Sequence, residues 1–286
     1  MNGTIEKTRS AAANRRITGA VIFVILLVCS LVALFPFAWM ISSSLKNTTE
    51  VFYYPIQWIP KVIRWSNYAD VFQKFKFARY FGNTFAVALM VTVGTLFVSI
   101  LASYSFAKLR FRGNNFLFMI YLSTMMIPWQ VYMIPQYLMV SRMGLVDTHL
   151  GLAFTSMFTP FGVFLLRQFF RGIPMDYTEA ARIDGASHWR ICWNVIVPMS
   201  RPAIVTLILL TFMSAWNDYL APLIYLKTES VRTLQIALHY FQGENETDWA
   251  LLMAGATLSM VPVLILYIFA QKQLIEGMAS AGGLKG

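Results

Sequence analysis

Acidic, basic and very small side chains alternate in the segment Pro174-Met-Asp-Tyr-Thr-Glu-Ala-Ala-Arg-Ile-Asp-Gly-Ala-Ser-His-Trp-Arg190. Asp176 followed three residues later by Glu179 has the spacing of a helix capping box. Ala181 with Gly185, and Arg182 with Ala186, would then lie one turn apart on shared faces. A glycine inside a helix costs about 1 kcal/mol relative to alanine, and close approach of a partner is the usual compensation. The chemistry on offer is docking: a short helix with a leading acid and a small-residue face, shaped for a socket on another protein.

Other candidate chemistry is sparse. Asp218, in Trp216-Asn-Asp-Tyr219, stands in an otherwise uncharged apolar run. A charge inside a membrane is expensive and faces a cavity or a partner. Trp216, Asn217, Asp218 and Tyr219 are therefore candidate lining for the path of a hydroxyl-rich solute, as are Trp129, Gln130 and Tyr132. In the competing reading Asp218 sits near the membrane interface or packs structurally. His188 and His239 have no ligand-like company, so no metal site is expected, and no cluster of nucleophile and base suggests an enzyme. The chain has no Gly-x-x-x-x-Gly-Lys-[Ser/Thr] phosphate loop, so it is expected to bind no nucleotide by that device and no cofactor.

The elements that must position these residues are membrane spans. The 286 residues are 57% hydrophobic and 13% charged, against about 25% charged in a soluble domain. No charge occurs between Arg16 and Lys46, Arg79 and Lys108, Arg112 and Arg142, Asp147 and Arg167, Arg201 and Asp218, or Asp248 and Lys272. A helical crossing needs roughly 20 apolar residues. Spans are predicted at 19–41, 82–107, 115–138, 150–170, 202–226 and 249–270, the fifth only if Asp218 is tolerated. Prolines 128, 135, 160, 222 and 262 fall inside them, where each would kink a helix. The first apolar run is too long for a cleavable signal peptide and is expected to stay as a span. Cys29 lies in a span and Cys192 in an inside loop, so no exported disulfide framework is expected.

Basic residues set the orientation. With the N-terminus inside, 14 of the 23 lysines and arginines fall on inside segments and 9 outside, which favours both termini in the cytoplasm. The net charge of +10 thus reads as topology and not as nucleic-acid binding. The predicted organisation is a tail at 1–18, a six-span membrane domain at 19–271 with a cytoplasmic loop at 171–200, and a second tail at 272–286.

Glu179-Ala180-Ala181, then Gly185, then Val195-Ile-Val-Pro198 resembles the EAA loop of ATP-binding-cassette (ABC) importer permeases, with valines where that family has isoleucine and leucine. Asn83-Thr84, Pro128-Trp-Gln130 with Pro135, Gly144-Leu-Val-Asp-Thr148, Trp216-Asn-Asp218 and the terminal Ala281-Gly-Gly-Leu-Lys-Gly286 look like the carbohydrate-uptake branch. The whole is similar to the smaller six-span partner of the maltose-type permease pair. The resemblance implies an all-α integral membrane protein of the type I ABC importer permease fold. It also implies a second permease subunit, two ATPase subunits carrying ATP and magnesium, an extracytoplasmic solute-binding protein, and a bacterial or archaeal cytoplasmic membrane.

Carried over by residue, Glu179, Ala180, Ala181, Asp184, Gly185, Ala186, Pro198, Lys285 and Gly286 would couple to the ATPases. Leu234, His239, Tyr240, Gly243 and Asn245 would meet the binding protein. A permease for glycerol phosphate or another non-sugar solute is the nearest alternative. An ion-coupled carrier would need more ionisable residues than Asp218.

Overall fold

The computed structural model describes the backbone of residues 2–240 and 247–283, and the side chains of 17–73, 75–240 and 247–273. It forms two compact units, Met1–Val71 with Gln242–Leu258 and Phe72–Phe241 with Ser259–Gly286.

In the first unit, α1 (Asn2–Ser44) is exposed on every side from residue 17 to 38, an apolar rod that only lipid or other helices can cover. Its end is tied down by aromatic and polar contacts. Trp58 meets Phe35 and Trp39 edge-on at 5.1 and 5.4 Å. Asn67, at the start of α2 (Ser66–Lys74), donates to the Ser44 and Lys46 carbonyls at 2.8 Å each.

The second unit is organised around α3 (Phe77–Lys108). Two bent arms follow: α4 (Asn114–Ser123) with α5 (Trp129–Arg142), and α6 (His149–Ser156) with α7 (Pro160–Gly172). Beyond α7 come α8 (Met175–Ile183), α9 (His188–Ile191), a π-helical turn at Cys192–Ile196 and α10 (Val197–Met199). Then α11 (Arg201–Trp216), α12 (Leu220–Tyr225) and α13 (Leu234–Tyr240) lead to α14 (Trp249–Gly283), which begins in the first unit.

Helices α6, α7 and α11 pack on α3. Close approach is what small residues supply between membrane helices. A Cβ on Gly162 would stand 2.5 Å from Ser99 Oγ, and Ser103 Oγ donates to the Val163 carbonyl at 2.9 Å.

Among the described residues, Ile17–Ser44, Phe77–Lys108 and Trp249–Gln273 are long and apolar enough to cross a bilayer, and counting each bent pair as one crossing gives six. The predicted spans need correction where the chain bends. The third turns through 100° between α4 and α5, and the fourth through 50° between α6 and α7. The fifth, predicted at 202–226, is interrupted after Trp216, and the helical run His188–Met199 meets α11 at 84°. The prolines explain part of this. Pro128 precedes α5 and Pro160 opens α7, positions where a missing N–H breaks no intrahelical bond. Pro222 lies in the first turn of α12, whereas Pro36, Pro135 and Pro262 are interior.

Candidate functional site

Two places gather the polar residues singled out by sequence. The first is α8, nine residues long. Its N-cap is Pro174 and no side chain caps it. The predicted capping box is therefore absent, and Asp176 instead sits in the first turn, where its charge complements the helix dipole.

The helix also ends earlier than the alanine-glycine spacing suggests. Gly185 lies beyond Ile183 with φ +77°. Its N–H bonds the Arg182 carbonyl at 3.0 Å, and the Ala186 N–H bonds the Ala181 carbonyl at 2.9 Å. That pair of bonds is the Schellman motif, which glycine permits because it has no Cβ to clash. Gly185 is thus a helix stop and does not extend a small-residue face.

The two sides of α8 differ. Thr178 is buried, and Ala181 and Ala186 pack on the core of Tyr104, Leu166, Phe170, Ile191, Cys192 and Ile196. Glu179, Ala180 and Asp184 are exposed, with Tyr177 at 51% and Ile183 at 87%. Ile183 thus stands bare at the end of α8, beside the exposed Ala180 and Asp184. Ile183 and Tyr177 were not among the residues expected from sequence to couple.

The rest of the segment is braced from behind. Tyr104 Oη and His188 Nδ1 lie 3.0 Å apart, and Ser187 Oγ accepts from the Arg190 N–H at 3.4 Å. Pro198 is exposed in α10. Lys285 and Gly286 lie outside the described residues.

The second place is a cavity of about 250 Å³ between α3, α6, α7 and α11, reached by Asp218 and lined with Thr95, Ser156, Thr159, Thr211 and Ser214. Thr95 is fully buried and, among the described residues, its hydroxyl has no partner. Asp218 accepts from the Ala221 N–H at 3.3 Å, so it also holds the break before α12. The cavity is smaller than the roughly 300–1,000 Å³ clefts that enclose drug-sized ligands. Alone, it has room for water or a small polar group and not for an oligosaccharide.

Other expected path residues do not join it. Trp216 is 1% exposed, donates to the Ser259 carbonyl at 2.9 Å, and stacks on Phe212 at 5.6 Å. It is core, because its indole N–H found a carbonyl inside the protein. Trp129 donates to Gln136 Oε1 at 2.8 Å, which the Tyr225 hydroxyl also approaches at 3.4 Å. Gln130 and Tyr132 are exposed, and Asn217 is exposed and donates to the Met213 carbonyl at 2.8 Å. Tyr219 lies 5.5 Å from the His239 ring.

Among the expected binding-protein contacts, Leu234 is fully buried and cannot meet a partner. Its N–H is held by Thr84 Oγ1 at 2.7 Å, while Asn83 Nδ2 donates to the Ser230 and Arg232 carbonyls at 2.9 Å. His239 and Tyr240 are exposed. Gly243 and Asn245 lie outside the described residues. Among the described residues no group of three metal-ligating side chains assembles.

Asp147, at φ +64°, accepts from the Lys227 and Thr228 N–H groups at 2.7 and 2.9 Å and from the Thr228 hydroxyl. These bonds, the hydroxyl's first, hold its carboxyl below the ordinary aspartate range. Glu229 is similarly lowered, by Lys76 at 2.9 Å and then Tyr80.

Residues 96–280, which include α8 and most of the cavity wall, match the family described as "binding-protein-dependent transport system inner membrane component". The chain is 32% identical over 260 residues to the arabinooligosaccharides transport system permease protein of Bacillus subtilis (strain 168), covering 90% of this chain and 92% of that one. It is 32% identical over 277 residues to the sn-glycerol-3-phosphate transport system permease protein of Pectobacterium atrosepticum, covering 94% and 98%. A chain from the crystal structure of a bacterial ABC transporter involved in alginate import superposes with a TM-score of 0.81 at 28% identity, over 91% of this chain and 97% of that one. The bent helices and exposed α8 are therefore those of the type I ABC importer permease fold. The chain belongs to the binding-protein-dependent inner-membrane component family, as an ABC transporter permease subunit.

Proposed function

We propose that this permease carries a carbohydrate or related polyol inward as one half of a membrane-subunit pair, with both termini and α8 in the cytoplasm. The observation that carries the coupling part is the bare end of α8. Tyr177, Ala180, Ile183 and Asp184 face away from the core, on a helix whose backbone is already satisfied, and nothing in the chain itself can supply ATP energy. Two ATPase subunits holding ATP and magnesium receive this face, with Glu179 as a polar contact at its edge. Their closure biases the spans between inward- and outward-open states through contacts that differ between the two.

The cavity beside Asp218 is one wall of the solute path. Its size calls for a second wall from the partner permease, and its hydroxyls and carboxylate suit a hydroxyl-rich solute delivered by an extracytoplasmic binding protein. Relatives named for arabinooligosaccharides and for alginate import support the sugar reading. The relative named for sn-glycerol-3-phosphate supports the alternative of a phosphorylated polyol.

The test is ATPase activity of the assembled complex with its binding protein, titrated with neutral oligosaccharides and with glycerol 3-phosphate. Stimulation by oligosaccharide alone is the expected result. Stimulation by glycerol 3-phosphate alone would replace the substrate class, and no stimulation by either would remove both.

A further inference from the structure

We propose that the turn between α3 and α4, with the end of α7, seats the phosphate of an anionic membrane lipid. Arg110, Arg112, Arg167 and Arg171 converge on one cavity of about 590 Å³, and among the described residues no carboxylate lines it. Arg167 is 4% exposed and is braced in place. Its Nη2 donates to Asn115 Oδ1 at 3.1 Å, its Nε approaches the Phe106 carbonyl at 3.4 Å, and its guanidinium lies 3.8 Å from the Phe118 ring centroid. Arg110, Arg112 and Arg171 are exposed and, among the described residues, carry no ion pair.

A bias toward basic residues on the inner side of a membrane protein explains their number. It does not explain why four gather around one hollow, where an anion seated between them would relieve their mutual repulsion. A planar guanidinium fork matches two oxygens of a phosphate.

The surroundings favour a lipid over a dissolved phosphate. On the same turn and the helix after it, Phe111, Phe116 and Leu117 are 41%, 70% and 48% exposed, so one edge of the seat is basic and the other suits acyl chains. Basic pockets between membrane helices are known lipid-headgroup sites.

The experiment uses the full chain in nanodiscs with spin-labelled phosphatidylglycerol or phosphatidylcholine, measuring relative association. The wild type is expected to prefer phosphatidylglycerol. Arg110→Gln with Arg112→Gln, both at exposed positions, should reduce that preference by about fivefold per arginine. Arg142→Gln, away from the seat, should leave it unchanged. Equal association of the two lipids with wild type overturns the proposal, as does an unaltered preference in the double variant. Loss of the preference on adding inorganic phosphate would show that the seat takes the free ion instead. None of these readouts needs ATPase or solute, so failure here leaves the transport reading standing.

Discussion

The ends of α8 and α11 are both helix terminations beside polar residues, yet only the second is reinforced by its side chains. At α8 the backbone closes on itself through the Gly185 and Ala186 N–H groups, and side chains from Tyr177 to Asp184 are left free on one side. After α11 the backbone bond from the Asn217 N–H to the Met213 carbonyl is joined by side chains. Trp216 bonds the Ser259 carbonyl, Asn217 bonds the Met213 carbonyl, and Asp218 accepts from Ala221. A stop satisfied by backbone leaves side chains for a partner, whereas one satisfied by side chains uses them up. This is why one polar motif reads as a docking surface and the other largely as scaffold, with Asp218 alone also reaching a cavity.

The largest expected effect lies on the scaffold side. Trp216→Ala should destabilise the protein by about 3–5 kcal/mol, seen as a lower melting temperature in detergent micelles. Trp216→Phe, which keeps the stack on Phe212, should lose less. If Trp216→Ala kept full stability and altered only solute affinity, the indole would be a path residue and the comparison would fail.

Next in size is the helix stop. Gly185→Val places a β-branched residue at φ +77° and should cost about 1–2 kcal/mol, read as faster amide exchange at the end of α8. Gly185→Asn should be close to neutral, because asparagine tolerates the left-handed region. Among the described residues a Cβ at Gly185 meets nothing within 4 Å, so equal damage from both variants in the assembled complex would instead mean that a partner presses on this glycine.

The exposed face should respond differently again. Ile183→Asp should change stability by no more than about 0.5 kcal/mol while abolishing solute-stimulated ATP hydrolysis by the complex. A variant that hydrolyses as wild type does would detach Ile183 from coupling.

Smallest is the acid response of the Asp147 clamp, a third polar stop and a surface one. Its carboxyl is lowered in the folded protein by the Thr228 hydroxyl and then by the backbone N–H groups. The clamp therefore stabilises at pH values above the unfolded carboxyl's, about 3.9, and is lost as pH falls through the lower folded value. Asp147→Asn should flatten the acid limb of a melting-temperature profile below about pH 4. An unchanged limb would mean that the clamp contributes nothing.

Much of the architecture was legible because hydrophobicity and charge spacing act locally. The charge-free runs mark α1, α3 and α14 to within a few turns, and Pro128 marks the sharpest bend. The misreadings came from two physical sources. Gly185 follows Arg182 and Asp184 at the end of an amphipathic stretch, which is also a helix-stop signature, and spacing alone does not separate a stop from a small-residue face. The burial of Trp216 and Leu234 depends on Ser259 and Thr84, 43 and 150 residues away, and no local pattern contains that information. The pairing of Asn83 and Thr84 with the 230–234 segment is likewise tertiary, although the resemblance to the carbohydrate-uptake branch had singled out both residues.

The most direct test of the central claim compares the two faces of α8 by thiol labelling. On a background with Cys29 replaced by serine, Ile183→Cys and Ala181→Cys chains would be exposed to a maleimide with and without the ATPase subunits bound. The account predicts rapid labelling at 183 that assembly suppresses, and slow labelling at 181 in both states. Equal labelling at 183 with and without the ATPases, or protection on assembly confined to 181, would contradict it.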